Sequence, residues 1–147
     1  MDWFNEALEI FKSEKPEHFG NYKHCGECEE HDDTLRRSDV FSIGLDELGS
    51  PGWDPMCFSK PAGKIYYMPA MIKLAVDTID SDFYLSQLLF HLEGDGEGNE
   101  LFKACNSEQR QFIVRFMDWV ILNHSEKIED QFYEHEAFRV REIWSNT

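Results

Sequence analysis

The chain has 147 residues, with 29 Asp and Glu against 14 Lys and Arg, and its formal net charge is −15. This charge repels phosphate backbones and anionic lipid surfaces, which argues against nucleic-acid binding and membrane binding. Apolar residues make up 41% and aromatic residues 14% of the chain. So many large side chains exclude a disordered segment, and we expect a single folded domain over residues 1–147.

Nothing at the start of the chain resembles a signal peptide. The segment MDWFNEALEIFKSEK has acids where a signal peptide needs basic residues, and no apolar run reaches the roughly 18 residues of a membrane span. We therefore expect a cytoplasmic protein. In that reducing compartment the cysteines are thiols or metal ligands rather than disulfides; they are Cys25, Cys28, Cys57 and Cys105.

The first half of the chain begins with helical patterns. Asp2 is placed to cap a first helix, which should end before Pro16 because a residue that precedes proline avoids the helical conformation. A second helix is predicted over residues 24–37. Its acids come early and Arg36 and Arg37 come late, the distribution that complements a helix dipole.

Residues 44–63 break this pattern with four glycines and three prolines, which predicts loops and turns. The runs MCFS and KIYYM flank the turn-like KPAG, and this arrangement predicts a β-hairpin. On such a strand Tyr66 and Tyr67 would alternate, one buried and one facing solvent.

The second half again predicts helices. Pro69 suits the first turn of one helix and Ser81 the cap of the next, while the glycine-rich residues 93–100 predict a flexible connector. Asn106 opens a capping box at the start of a strongly amphipathic helix, and residues 126–144 predict a docked helix. The expected fold class is α+β, mainly helical, with five or six helices packed around the small β-hairpin.

The stretch HCGECEEHDD, residues 24–33, is the main candidate site. On a helix, His24, Cys28 and His31 share one stripe, and Cys25 lies one turn from Cys28. Zinc takes four thiolate or imidazole ligands, and this stripe cannot present all four residues at once. With Cys57 as the outside ligand, the sequence predicts a zinc site of Cys25, Cys28, His31 and Cys57.

Two other interpretations of this stretch stay open. Free cysteines are often buried, so the stripe can be a packing face, and the second ligand pair of common zinc motifs is missing. A helix N-terminus also lowers a cysteine pKa, which favours redox chemistry. Against redox chemistry, no βαβ pattern surrounds CGEC, and Glu27, Glu29 and Glu30 would raise that pKa by repulsion.

A pocket is a further hypothesis. In PGWDP, Asp54 can accept backbone N–H groups in an Asx-turn before proline. The residues His24, Asp54, Tyr66 and Tyr67 are candidates to line a pocket together with His31.

Three segments, HCGECEEHDDTL, LDELGSPGWDPMCF and IYYMPAMIKLA, carry a resemblance that covers about residues 18–122. The chain is similar there to a family of small bacterial proteins known only as a domain of unknown function. The resemblance implies a single intracellular domain and adds no catalytic role. The matching positions are His24, Cys25, Cys28, His31, Trp53, Asp54, Pro55, Cys57, Tyr66, Tyr67 and Pro69.

These observations favour an acidic binding or regulatory module over an enzyme, with zinc as the one cofactor that the sequence suggests. One alternative is a metal-dependent, hydrolase-like enzyme that uses the Cys and His helix, which would need an open coordination position and a general base. Another is an anti-toxin or mimic protein that binds a basic protein partner through its charge.

Overall fold

The structure is a computed structural model that describes residues 2–146, and its contacts divide the chain into two compact units, residues 2–74 and 75–146. The expectation that residues 1–147 form a single domain remains a prediction. The α-helices are α1 Trp3–Ile10, α2 Gly26–Arg36, α3 Leu45–Leu48, α4 Pro61–Asp77, α5 Leu85–Glu93, α6 Glu100–Ala104, α7 Ser107–Asp130 and α8 Glu134–Ser145. Short 3-10 helices cover Pro51–Trp53, Pro55–Phe58 and Gly96–Gly98.

The prediction of an α+β fold is wrong, because residues 2–146 contain no β-strand. Most of the run MCFS lies in the 3-10 helix Pro55–Phe58, and KIYYM lies inside α4. A proline is well suited to the first position of a helix, and both helices begin with one. The β-propensity of a short run is weak and depends on its surroundings. The prolines at the helix starts and the packing of α4 therefore decide the conformation, and both runs are helical.

The predicted helix count of five or six is also wrong, since residues 2–146 form eight α-helices. Pro69 does not begin a helix but lies within α4. A proline there removes one backbone hydrogen bond. Its neighbours Met68 and Ala70 are 0% and 3% exposed, so burial on both sides offsets that loss.

Helix caps follow the sequence more closely. The Asp2 carboxylate accepts a backbone N–H in the first turn of α1, as predicted. Asn106 and Gln109 form the predicted capping box of α7, with N···O distances of 2.8 and 2.9 Å. Ser81 does not cap a helix, because α5 begins four residues later.

In the unit of residues 2–74, α2 packs against the 3-10 helix Pro55–Phe58. Tyr67 of α4 is fully buried, and its hydroxyl donates a 2.6 Å hydrogen bond to the carbonyl of Leu35 near the end of α2. A carbonyl in the last turn of a helix has no partner within its own helix. This hydrogen bond therefore gives the Leu35 carbonyl a partner and fixes the position of α2 relative to α4.

In the unit of residues 75–146, α8 packs against α5 and α7. The predicted flexible connector instead contains buried Asn99, whose Nδ2 donates to the carbonyl of His91 at 3.1 Å and whose Oδ1 accepts the Phe102 N–H at 2.9 Å. One side chain thus caps the end of α5 and the start of α6. Within the described part of the chain, no helix is both long and apolar enough to cross a membrane.

Candidate functional site

Three side chains with metal-ligating atoms meet at the N-terminus of α2. The ligand atoms of His24, Cys25 and Cys28 all lie within 4.8 Å of one another. The two Sγ atoms are 3.2 Å apart, and Nδ1 of His24 is 3.6 Å from Sγ of Cys28. His24 and Cys25 are exposed and Cys28 is half-buried, so the cluster is open to solvent on one side.

The start of the helix produces this convergence. Cys25 is the N-cap of α2, in an extended conformation, and its Sγ accepts the backbone N–H of Cys28 at 3.4 Å. His24 lies before the cap, and its N–H bonds to the carbonyl of Asn21 at 3.0 Å. Because His24 and Cys25 precede the helix, they are free of helical spacing and can both approach Cys28.

The two cysteines of the cluster differ in acidity. Hydrogen bonds from the backbone N–H and the thiol of Cys28, and a further one from His24, lower the pKa of Cys25 to about 7. The hydrogen bond to Cys25, together with burial and nearby negative charge, raises the pKa of Cys28. Contrary to the sequence argument, repulsion by neighbouring acids does not decide the pKa of Cys25, because hydrogen bonds to the thiolate are closer and stronger.

A cavity of about 190 Å³ lies beside the cluster. It is bounded by α2, by the loop before α2 and by the 3-10 helix Pro55–Phe58. His24 and Cys28 line it on the cluster side, so the cluster and the cavity form one continuous site. The apolar walls are Phe19, Leu35, Pro55 and Phe58.

Asp32 holds the loop that forms one wall of this cavity. Its carboxylate is 2% exposed and accepts hydrogen bonds from Nδ1 of His18 at 2.7 Å and from the backbone N–H groups of Phe19 and Gly20 at 2.6 and 3.4 Å. Burial opposes ionisation of Asp32, but these hydrogen bonds outweigh it and lower the pKa. A side chain at Gly20 would collide with the carbonyl oxygen of Phe58, so the loop lies directly on the 3-10 helix.

His31 is a buried polar side chain that lines the cavity. It is 1% exposed, its ring stacks on Phe58 with 4.5 Å between centroids, and Trp53 lies at 4.4 Å. Among residues 2–146, neither ring nitrogen has a hydrogen-bond partner. The Glu27 carboxylate lies 3.5 Å from Nε2 but does not form a hydrogen bond with it. His31 is therefore held by aromatic contacts, with Glu27 at ion-pair distance and no hydrogen bond to either ring nitrogen among the described residues.

The other predicted site residues neither belong to the cluster nor line the cavity. Cys57 is exposed on its 3-10 helix and is not a member of the His24, Cys25 and Cys28 cluster. Asp54 forms the expected Asx-turn, with Oδ1 accepting the Met56 N–H at 2.9 Å, and caps that helix. Among the described residues that line the cavity, His24 and His31 are present, but Asp54, Tyr66 and Tyr67 are not.

Sequence reasoning missed several residues of the site, among them Asp32 and Phe58. Asp32 stands in a run of acids, and nothing in that run distinguishes the one carboxylate that is buried. Phe58 reads only as a member of a β-prone run. Its contact with His31 joins positions 27 residues apart, a separation that no local pattern shows.

Comparison of the chain with family models, with curated proteins and with solved structures found no match. The resemblance to a family of small bacterial proteins therefore stays a prediction, and the chemistry of the site carries the functional argument.

Proposed function

We propose that residues 2–74 form a zinc-binding module in which His24, Cys25 and Cys28 hold one ion. The observation that supports this is the convergence of three ligand atoms within 4.8 Å. Thiolate and imidazole are the ligands that zinc prefers in proteins, and two thiolates balance the charge of Zn²⁺. His31 and Cys57, which the sequence suggested as ligands, are not needed for this set.

The ligand count is compatible with a binding or regulatory role and equally with the open coordination position that a metal-dependent enzyme needs. A structural zinc site is closed by four protein ligands, whereas three protein ligands leave one position for an outside group. The cluster is partly exposed and borders a cavity, so that outside group can be a small molecule or a side chain of a partner. A metal-dependent enzyme and a basic protein partner stay predictions.

Elemental analysis of untagged full-length protein, purified without chelator, tests the zinc site. We expect about one zinc per chain. Mutation of a residue that only supports a metal ligand lowers metal affinity by roughly 10–100-fold, and we expect Cys25→Ser and Cys28→Ser to lower zinc affinity by more than that. Cys105→Ser is the control, because Cys105 belongs to no group of metal-ligating side chains among the described residues. Equal zinc content in the wild type and in a Cys25→Ser, Cys28→Ser double variant would refute the proposal.

A second candidate function is thiol–disulfide exchange, favoured by the 3.2 Å separation of the two Sγ atoms. The Cys25 thiolate would attack a small-molecule disulfide, forming a mixed disulfide and releasing one thiol. Cys28 would then attack Sγ of Cys25, closing an intramolecular disulfide and releasing the second thiol. The two cysteines lose two electrons and two protons, and the small-molecule disulfide gains them.

Mass spectrometry after equilibration of chelated protein with mixtures of reduced and oxidised glutathione tests this exchange. We expect a disulfide between Cys25 and Cys28 that forms in wild type and in Cys57→Ser, and bound zinc should slow its formation because the thiolates are then ligands. If both thiols carry only separate glutathione adducts, the exchange is refuted. That result leaves the zinc proposal intact, since zinc content is measured separately.

A further inference from the structure

We infer that the cavity beside the cluster binds a neutral, single-ring nitrogen heterocycle and that His31 is the residue that hydrogen-bonds it. This inference goes beyond the proposed zinc site, since neither the ring contacts nor the hydrogen bonds of His31 need a metal ion. Azoles and pyrimidines are the chemical class that fits.

The size and walls of the cavity point to one flat ring. Sites for drug-sized ligands span roughly 300–1,000 Å³, and this cavity has about 190 Å³. A nucleotide or a peptide is too large for it. The walls include two phenyl rings, Phe19 and Phe58, and the apolar side chains of Leu35 and Pro55. Flat apolar walls favour an aromatic ligand that packs face or edge against them.

The polar requirement of the ligand follows from His31. Its side chain is 1% exposed and lines the cavity, and no described residue forms a hydrogen bond with either ring nitrogen. A neutral imidazole carries one donor and one acceptor. A heterocycle with an N–H beside a ring nitrogen or a carbonyl offers both complements, so it satisfies whichever nitrogen of His31 faces the ligand.

No other buried polar group of the cavity competes for this role. Asp32 also lines the cavity, but its carboxylate already accepts from His18 and from the N–H groups of Phe19 and Gly20. His31 is therefore the buried group to which a ligand would add hydrogen bonds. A buried polar group without hydrogen bonds is energetically unfavourable.

Local charge selects a neutral ligand. The buried carboxylate of Asp32 lines the cavity, and the carboxylate of Glu27 lies 3.5 Å from Nε2 of His31. An anionic ligand would be repelled by both groups. A cationic azole has N–H donors but no acceptor, so it cannot accept a hydrogen bond from the imidazole N–H. A neutral heterocycle avoids both penalties.

The test is a titration of full-length ¹⁵N-labelled protein with pyrazole and with cytosine, followed by NMR, in the presence of a chelator. We expect saturable binding with a dissociation constant of about 1 mM or below, and at least about tenfold weaker binding of benzene, which has a similar size and no hydrogen-bonding group. The ring ¹⁵N signals of His31 should move as the heterocycle saturates the site.

His31→Phe is the decisive variant, because it keeps a ring against Phe58 and removes both nitrogens. We expect it to lose the preference for the heterocycles over benzene, while His135→Phe, at an exposed position of α8, keeps it. Absence of saturable binding, or an unchanged preference in His31→Phe, overturns the inference.

If His31→Phe does not fold, the wild-type protein still decides the matter. Heterocycle binding that leaves the His31 ring signals unmoved overturns the inference as well. The chelator separates this test from that of the proposed function, because zinc content has no influence on binding to metal-free protein. If the protein binds no zinc, the heterocycle titration is still valid. If no heterocycle binds, the zinc measurement is still valid.

Discussion

Replacing Asp32 with alanine is expected to destabilise the chain by about 2–4 kcal/mol, because it leaves buried donors without their acceptor and each such donor costs about 1–3 kcal/mol. The backbone N–H groups of Phe19 and Gly20 would lose their acceptor, and His18 would lose its carboxylate partner. Native proteins are stable by only about 5–15 kcal/mol, so a large share of the stability is at risk. The loop that walls the cavity should loosen first.

Urea unfolding followed by circular dichroism measures this effect. Asp33→Ala is the matched control, because Asp33 is the next residue on the same helix, is exposed and makes only a 3.9 Å ion pair with Arg36. We expect that control to change the unfolding free energy by less than about 0.5 kcal/mol. Equal losses in the two variants would show that the hydrogen bonds of Asp32 contribute nothing.

Acid unfolding provides an independent check on Asp32. Its pKa lies below the ordinary value of 3.8, because hydrogen bonds to the carboxylate outweigh burial. A lowered folded-state pKa means that the charge of Asp32 contributes its full stability above the unfolded-state pKa. That contribution is lost as the pH falls from there through the lower folded-state pKa. Asp32→Asn should lack this component of acid unfolding.

Trp144→Ala should be the most destabilising single change in residues 75–146, at about 3–5 kcal/mol, because it empties a large buried volume. Trp144 is 0% exposed, and its ring lies edge to face on Phe102 with 5.4 Å between centroids. Its Nε1 also donates to the carbonyl of Leu92 in the last turn of α5 at 2.9 Å. The substitution removes packing and leaves a helix-end carbonyl with one donor fewer.

Thermal and urea unfolding of two further variants separate these contributions. Trp144→Phe keeps most of the packing and loses the donor, so it should cost about 1–3 kcal/mol. Phe138→Ala, on the same helix at a position that is 57% exposed, should change stability by less than about 0.5 kcal/mol. If Trp144→Ala costs no more than Phe138→Ala, the packing of α8 described above is incorrect.

Local sequence was enough to predict several elements. The caps at Asp2 and at Asn106 with Gln109 form as expected, because each depends on residues only three positions apart. The second helix was predicted over residues 24–37 and spans Gly26–Arg36. Its two-residue difference at the start matters, since it releases His24 and Cys25 from helical spacing.

The predicted β-hairpin shows where local pattern fails. The run KIYYM has strong β-propensity, yet it lies in α4 with Tyr67 and Met68 fully buried. Strand propensity expresses how a side chain packs on a sheet. The described residues form no sheet on which these side chains could pack, so their strand propensity gains no stabilisation. Pro61 at the helix start, together with burial, decides the conformation instead.

By itself, the sequence determined the acidic charge, the mainly helical character and the proximity of Cys25 to Cys28. Composition and the spacing of a few residues are enough for each. Only the tertiary structure decided that His24 completes the cluster, that Asp32 is the one buried carboxylate of its acidic run, and that His31 faces a cavity. The physical reason is distance along the chain. Burial of Asp32 and His31 depends on residues 18–20 and 53–58, which reach α2 only when residues 2–74 fold.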